Sequence, residues 1–205
     1  MTWDPLPGDD QGRDAESGEQ GLAASFRAAP GGAVAFFEQP QAGVIRSLVG
    51  QVAELVSADA EAGGDASGEV GNLEAELGLS SHAQAPDDPV LARLLPDAYS
   101  GDAEAAAEFR RYTEETLRSG KVASAQIVLA SLPPGGGEVR LTEPECQQWL
   151  RALNDVRLAL SVRLGITDED DDLTEQFAVD DPRSAYVWVY QWLAYLQDSL
   201  LDALT

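Results

Sequence analysis

Apolar residues recur at helical spacing along most of the chain. Ile45, Leu48, Val49, Val52 and Val56 stand at i, i+3, i+4, i+7 and i+11, which predicts a helix over residues 41–57 with one apolar face. A short helix opens at Asp88-Pro89 and carries Val90, Leu91, Leu94 and Leu95. Asp supplies an N-cap oxygen, Pro fits a first turn whose N–H has no intrahelical partner, and Pro96 ends the helix. Residues 102–119 predict the next helix, with Ala105, Phe109, Tyr112 and Thr116 on one side and Gly120 as the residue just past its end. Residues 121–132 form a further helix or a continuation, stopped by Pro133-Pro134 and three glycines. Thr142 and Glu145 have the spacing of a capping box, in which the Glu carboxylate reaches back to the N-cap N–H. The helix they open runs to Leu164 with Trp149, Leu153, Val156, Leu160 and Leu164 inward, and Gly165 closes it. Asp181-Pro182 repeats the start signal for a last helix to about residue 204, whose core stripe is Val189, Leu193, Leu196, Leu200 and Leu204.

Two short apolar runs within residues 24–38 flank Pro30-Gly31-Gly32 and predict a β-hairpin, because glycine accepts the positive φ of a tight turn. Residues 138–141 predict a short strand added to that hairpin. Between these elements the chain is polar. Residues 1–22 are rich in Gly, Asp, Glu and Pro and read as a disordered acidic tail. Flexible acidic loops are expected near 58–87, with a short helix around 73–77, and near 166–181. The expected architecture is mainly α: a single domain over 23–205, a helical bundle of about five main helices with a small antiparallel β-hairpin or sheet near the N-terminus. No internal repeat is visible.

Charge changes the functional picture more than the fold. Asp and Glu number 36 against 13 Lys and Arg, a net charge of −23. Such a surface repels phosphate backbones and anionic membranes and suits a basic protein partner. Hydrophobic residues make up 44% of the chain, enough for a real core. A single cysteine, Cys146, rules out an intrachain disulfide. Residues 1–20 have neither the basic start nor the apolar run of a signal peptide. The longest charge-free apolar stretch, 184–197, is shorter than the roughly 20 residues that span a bilayer. A cytoplasmic protein is expected.

Candidate chemistry is sparse. The only imidazole is His82, in a polar loop, and one His with one Cys cannot build a thiolate zinc site. No GxSxG, HExxH or phosphate-binding glycine loop is present. The acidic run at 168–172 has calcium-loop alternation, but Leu173 and Val179 occupy the positions where such a loop needs Gly and Glu. These counts lead to no expected catalytic residue, metal or cofactor, and to a protein that is not an enzyme. Cys146 lies in the first turn of the capped helix, where amide dipoles favour thiolate, while Glu143 and Glu145 oppose it. It is a redox candidate or an inert semi-buried thiol. Arg110, Arg111, Arg118 and Lys121 form the one basic cluster, with Arg111 and Arg118 on one helical face. They either pair with Glu104, Glu108, Glu114 and Glu115 or form a docking patch. The last helix is apolar nearly all round over its first half. It is either the central helix of the bundle or presents Trp188, Trp192 and Tyr195 to a partner, a homodimer included.

Three blocks carry a family resemblance: DPVLARLLPDAYSGDAEAAAEFRRYTEETLRSGKVASAQIVLASL at 88–132, WLRALNDVRLALSVRLGIT at 149–167 and VYQWLAYLQDSLLDAL at 189–204. With the hairpin and the 41–57 helix, they resemble, over residues 24–204, an uncharacterised-domain family of actinobacteria that includes the oxidative-stress regulator AosR. An Ala- and Arg-rich composition agrees with a GC-rich genome. The resemblance implies a coregulator that does not read DNA sequence, partners a stress sigma factor and acts on cysteine biosynthesis. It also implies a redox switch built from two N-terminal cysteines. The N-terminal segment of this sequence has none, and Cys146 matches neither. The expected function is a transcriptional coregulator acting by protein contact. The alternatives are a homodimeric adaptor, an enzyme of unknown chemistry, and DNA binding through the basic cluster.

Overall fold

The computed structural model describes residues 24–62, 86–99, 101–166, 181 and 183–205. The tail at 1–22, the helix at 73–77, His82 and the acidic run at 168–172 lie outside them. The hairpin forms as the sequence predicts. Strand β1 (Arg27–Ala29) and strand β2 (Gly32–Phe37) are antiparallel, with Ala29 opposite Gly32, so Pro30-Gly31 is a two-residue loop. Proline fixes φ near −65° at the first loop position, and Gly31 takes φ +82° at the second, the signature of a type II turn. Strand β3 (Gly137–Thr142) joins the other side of β2, again antiparallel, in the order β1-β2-β3. Ala33, Ala35, Phe37, Val139 and Leu141 point into the core, as the period-2 alternation requires. Gly32 is obligatory for a different reason: a Cβ there would lie 2.0 Å from the Leu141 carbonyl oxygen.

Five helices complete the described fold. Helix α1 (Gln39–Ala62) buries all five predicted positions, Ile45 to Val56. It extends past residue 57 because the following Ala-rich stretch to Ala62 contains good helix formers and no breaker. Helix α2 (Pro89–Leu94) starts on Asp88, whose carboxylate accepts from the Val90 and Leu91 amides at 2.8 and 3.2 Å. Helix α3 (Ala103–Ser131) is one continuous rod, capped by Asp102. The continuation expected as one alternative for residues 121–132 is therefore what forms, and Gly120 does not end the helix. Glycine costs a helix interior only about 1 kcal/mol, and a buried face that continues from Ala106 through Ala125 to Val128 outweighs it. Helix α4 runs Glu143–Leu164 and helix α5 Ser184–Asp202. At the start of α4, Glu145 accepts from the Thr142 amide at 2.8 Å and from its hydroxyl at 2.7 Å.

The central helix is α4, not the last one. It packs against α1, α2, α3, α5 and the sheet, whereas α5 packs mainly on α4 and β1. The predicted inward set of Trp149, Leu153, Val156, Leu160 and Leu164 is buried. Trp149 joins sheet to bundle: its ring packs on Phe26 at 5.4 Å and Phe37 at 5.9 Å, and its indole N–H donates to Ser131 Oγ at 2.9 Å.

Candidate functional site

The basic cluster is mostly internal. Arg110, Glu114 and Arg118 lie one turn apart on α3 and are all buried. The Glu114 carboxylate accepts from Arg110 Nη1 at 2.8 Å and from Arg118 Nε and Nη2 at 2.9 and 2.7 Å. Each arginine then reaches a neighbouring helix, Arg110 at the end of α2 and Arg118 within α1. Arg110 donates to Asp97 at 2.5 Å and to the Leu95 carbonyl, and Arg118 donates to the Val56 carbonyl at 2.8 Å. Burial works against the Arg110 charge, but its bonds to Glu114 and Asp97 prevail and raise its pKa above the usual value. Arg46, on α1, closes the opposite end by donating to the Leu129 and Leu132 carbonyls at 2.5 and 2.6 Å. The C-terminal carbonyls of helices lack intrahelical donors, so the Arg110 contact to Leu95 and the Arg46 contacts to Leu129 and Leu132 act as caps as well as ties, whereas Arg118 on Val56, inside α1, is a tie alone.

The two remaining basic candidates separate. Lys121 pairs across to α4, with its ammonium 2.6 Å from Asp155. Burial of Asp155 pushes its pKa up, only partly offset by the lysine. Arg111, at i, i+7 to Arg118 and so on the same side of α3, stands exposed while Arg118 is buried. A basic docking patch made of Arg110, Arg111, Arg118 and Lys121 is therefore not what the fold builds. Three of the four tie helices together, and of the four expected acidic partners Glu114 holds the buried pairs, with Asp97 and Asp155 the partners the sequence reading missed.

Cys146 is fully buried against the sheet. Burial pushes its thiol pKa up, more than backbone hydrogen bonds lower it, and Glu145 and Glu143 add to the rise. The amide dipoles at the helix start do not overcome this, and the thiol is neither exposed nor ionised near neutral pH.

On α5 the three aromatic candidates divide. Trp188 and Tyr195 are 51% and 52% exposed, while Trp192 is 4% exposed and packs in the core. At about 100° per residue the three occupy one arc, and Trp192 lies at the edge that turns toward α4. Tyr190 is partly buried beneath the Arg157 guanidinium, 4.9 Å from its ring centre. The outward side of α3 carries a second aromatic group that the sequence reading placed on one side without assigning it to solvent. Phe109, Tyr112 and Leu117 are exposed, and the Tyr99 ring meets Phe109 edge-on at 6.0 Å. The sequence alone does not decide this, because the Arg–Glu–Arg ladder at i, i+4, i+8 on the opposite side of the same helix reads equally as a solvated face.

Among the described residues no group of three or more His, Cys, Asp or Glu side chains could hold a metal ion. No described helix is long and apolar enough to cross a membrane. The hollows are shallow and open. One between α3 and α4, of about 340 Å³, is lined by Lys121, Asp155, Arg151 and Asn154. Another of about 350 Å³ lies between residues 25–28 and the end of α5.

The model of a domain of unknown function, DUF2017, matches residues 23–204, nearly the whole described fold. The chain belongs to this family. It is 33% identical over 175 residues to the oxidative stress regulator AosR of Mycobacterium tuberculosis, covering 78% of this chain and 77% of that one. The oxidative stress regulator AosR of Mycobacterium bovis matches equally, and a Mycobacterium leprae relative is 35% identical over the same length. No solved structure matches.

Proposed function

We propose that this family member is a non-enzymatic regulator of the oxidative-stress response that works in the cytoplasm by contacting other proteins, with a sigma factor as partner. The observation that supports it is the 33% identity, across more than three quarters of both chains, to proteins named oxidative stress regulators. The surface chemistry is compatible. A net charge of −23 disfavours bare DNA and favours a basic protein surface. Arg110 and Arg118, which a DNA contact would need, are occupied inside the bundle. The stress signal does not enter through a thiol pair of this chain, which has one cysteine, and that one is buried.

The test is association of the purified chain with the sigma factors and RNA polymerase of its own host, under reducing and oxidising conditions. The proposal expects a stable complex with one sigma factor. Absence of any complex under both conditions would falsify it. A second reading, a homodimeric adaptor, is favoured by exposed Trp188 and Tyr195 at i and i+7 on α5. Light scattering separates the two: an adaptor of that kind is a dimer, and Trp188→Ser with Tyr195→Ser makes it a monomer.

A further inference from the structure

Helix α3 turns its polarity inside out over its first half. Its inward side carries the charged ladder of Arg110, Glu114 and Arg118, while Phe109 and Tyr112 face outward and Leu117 is partly exposed at the edge beside Arg110. Tyr112 is 61% exposed, and Tyr99 extends the aromatic surface by packing on Phe109. Aromatic side chains exposed in a cluster along a well-anchored helix mark an interaction surface more often than scattered apolar residues do. The ion ladder beneath makes the helix rigid, so the aromatic groups need little ordering on binding.

Charge selects the occupant. Beside the aromatic stripe runs a ridge at i, i+4, i+7 and i+11, holding Glu104, Glu108, Arg111 and Glu115, all exposed. On the other side a small hollow is lined by Leu95, Ala106 and Leu117, with Asp97 at its edge paired to Arg110. An apolar stripe with a net acidic ridge along one side fits an amphipathic helix whose apolar face is edged by arginine or lysine. It does not fit a second copy of this chain, because two chains of charge −23 would bring acidic ridges together. We propose that the outer face of α3, centred on Phe109 and Tyr112, docks a basic amphipathic helix of a partner protein. This inference rests on the proposed function in taking the partner to be a protein, and it adds where and with what chemistry that partner binds.

The experiment uses the full chain and a labelled synthetic peptide of roughly five helical turns. The peptide has leucines at i, i+3, i+4 and i+7 edged by arginines, and its control has the same composition in scrambled order. Fluorescence anisotropy at physiological salt is expected to show saturable binding of the amphipathic peptide alone. Phe109→Ser with Tyr112→Ser weakens it by about tenfold or more, as loss of two aromatic anchors does. Tyr112→Ser alone, at a side chain the fold does not need, weakens it in the same direction, and circular dichroism confirms both variants are folded. Trp188→Ser with Tyr195→Ser leaves it within about twofold. Glu104→Gln with Glu108→Gln and Glu115→Gln weakens it and flattens its salt dependence. Equal binding of the scrambled peptide, or unchanged binding by the Phe109/Tyr112 variants, overturns the proposal. So does a wild-type dimer that those variants dissolve, since a second copy would then occupy the face. A sigma factor that binds the Phe109/Tyr112 variant as tightly as wild type overturns this surface and leaves the proposed function standing.

Discussion

Replacing Glu114 by alanine should be among the most damaging single changes to this fold, although the residue is a charged one in an acidic protein. Its carboxylate is 2% exposed and accepts three hydrogen bonds from two arginines that are themselves buried. After Glu114→Ala, Arg110 retains Asp97 and the Leu95 carbonyl, and Arg118 retains the Val56 carbonyl. Both guanidinium charges stay in the interior with a carboxylate removed between them. Breaking a buried ion pair by removing one partner costs about 3–5 kcal/mol. A domain's whole stability is about 5–15 kcal/mol. At about 2–4 °C per kcal/mol for a chain of this size, the melting temperature should fall by roughly 6–20 °C. Urea and thermal unfolding followed by circular dichroism measure this directly. The triple variant Arg110→Met, Glu114→Leu, Arg118→Met should recover most of the loss, because replacing all the charges removes their desolvation cost together. A Glu114→Ala penalty below about 1 kcal/mol, or a triple variant worse than the single one, would refute the account of α3 as a helix held by an internal charge ladder.

Other predictions follow from single positions. Native Cys146 should resist alkylation at pH 8 until the protein unfolds, because its thiol is buried and its pKa is raised; rapid stoichiometric labelling of folded protein would contradict this. The Glu145 carboxyl is held below its ordinary value by the Thr142 amide first and the Thr142 hydroxyl second. Its folded pKa is lower than its unfolded one, so its contribution is present above the unfolded value of 4.5 and is lost as pH falls through the folded value. Glu145→Gln should therefore narrow its stability gap to wild type as pH drops below that value, and a pH-independent gap would count against the capping role. Gly32→Ala places a methyl 2.0 Å from the Leu141 carbonyl and should cost about 1–3 kcal/mol or more by forcing β2 and β3 apart. Gly31→Ala meets no neighbour and should cost only the left-handed backbone penalty of about 1–2 kcal/mol, so a Gly32→Ala loss smaller than the Gly31→Ala loss would contradict the register.

Much of the fold was legible because most helices bury apolar stripes. Ile45 to Val56 and Trp149 to Leu164 could be assigned from spacing alone, and the hairpin from Pro30-Gly31. What spacing could not show was the orientation of α3. Its inward face is written in Arg, Glu and Arg, a pattern that reads as a solvated ladder in any isolated helix, and only the carbonyls of Leu95 and Val56 make it an interior one. Gly120 misled for a related reason. Glycine often follows a helix, and nothing within the sequence near it states that α1 and α4 will hold both halves of the rod in line. On α5 the division of Trp188 and Tyr195 from Trp192 depends on tens of degrees of rotation, which is set by packing against α4 rather than by the residues' own character. The family resemblance was legible in three separate blocks, and the family match covers them all.

The central claim is that the chain acts by binding a protein of the transcription machinery. Its most direct measurement is calorimetric titration of the host's purified sigma factors, one at a time, into the full chain, with peroxide and with reductant. The account predicts a one-to-one complex with one sigma factor and none with the rest. Heat changes indistinguishable from dilution for every sigma factor, under both conditions, would contradict it.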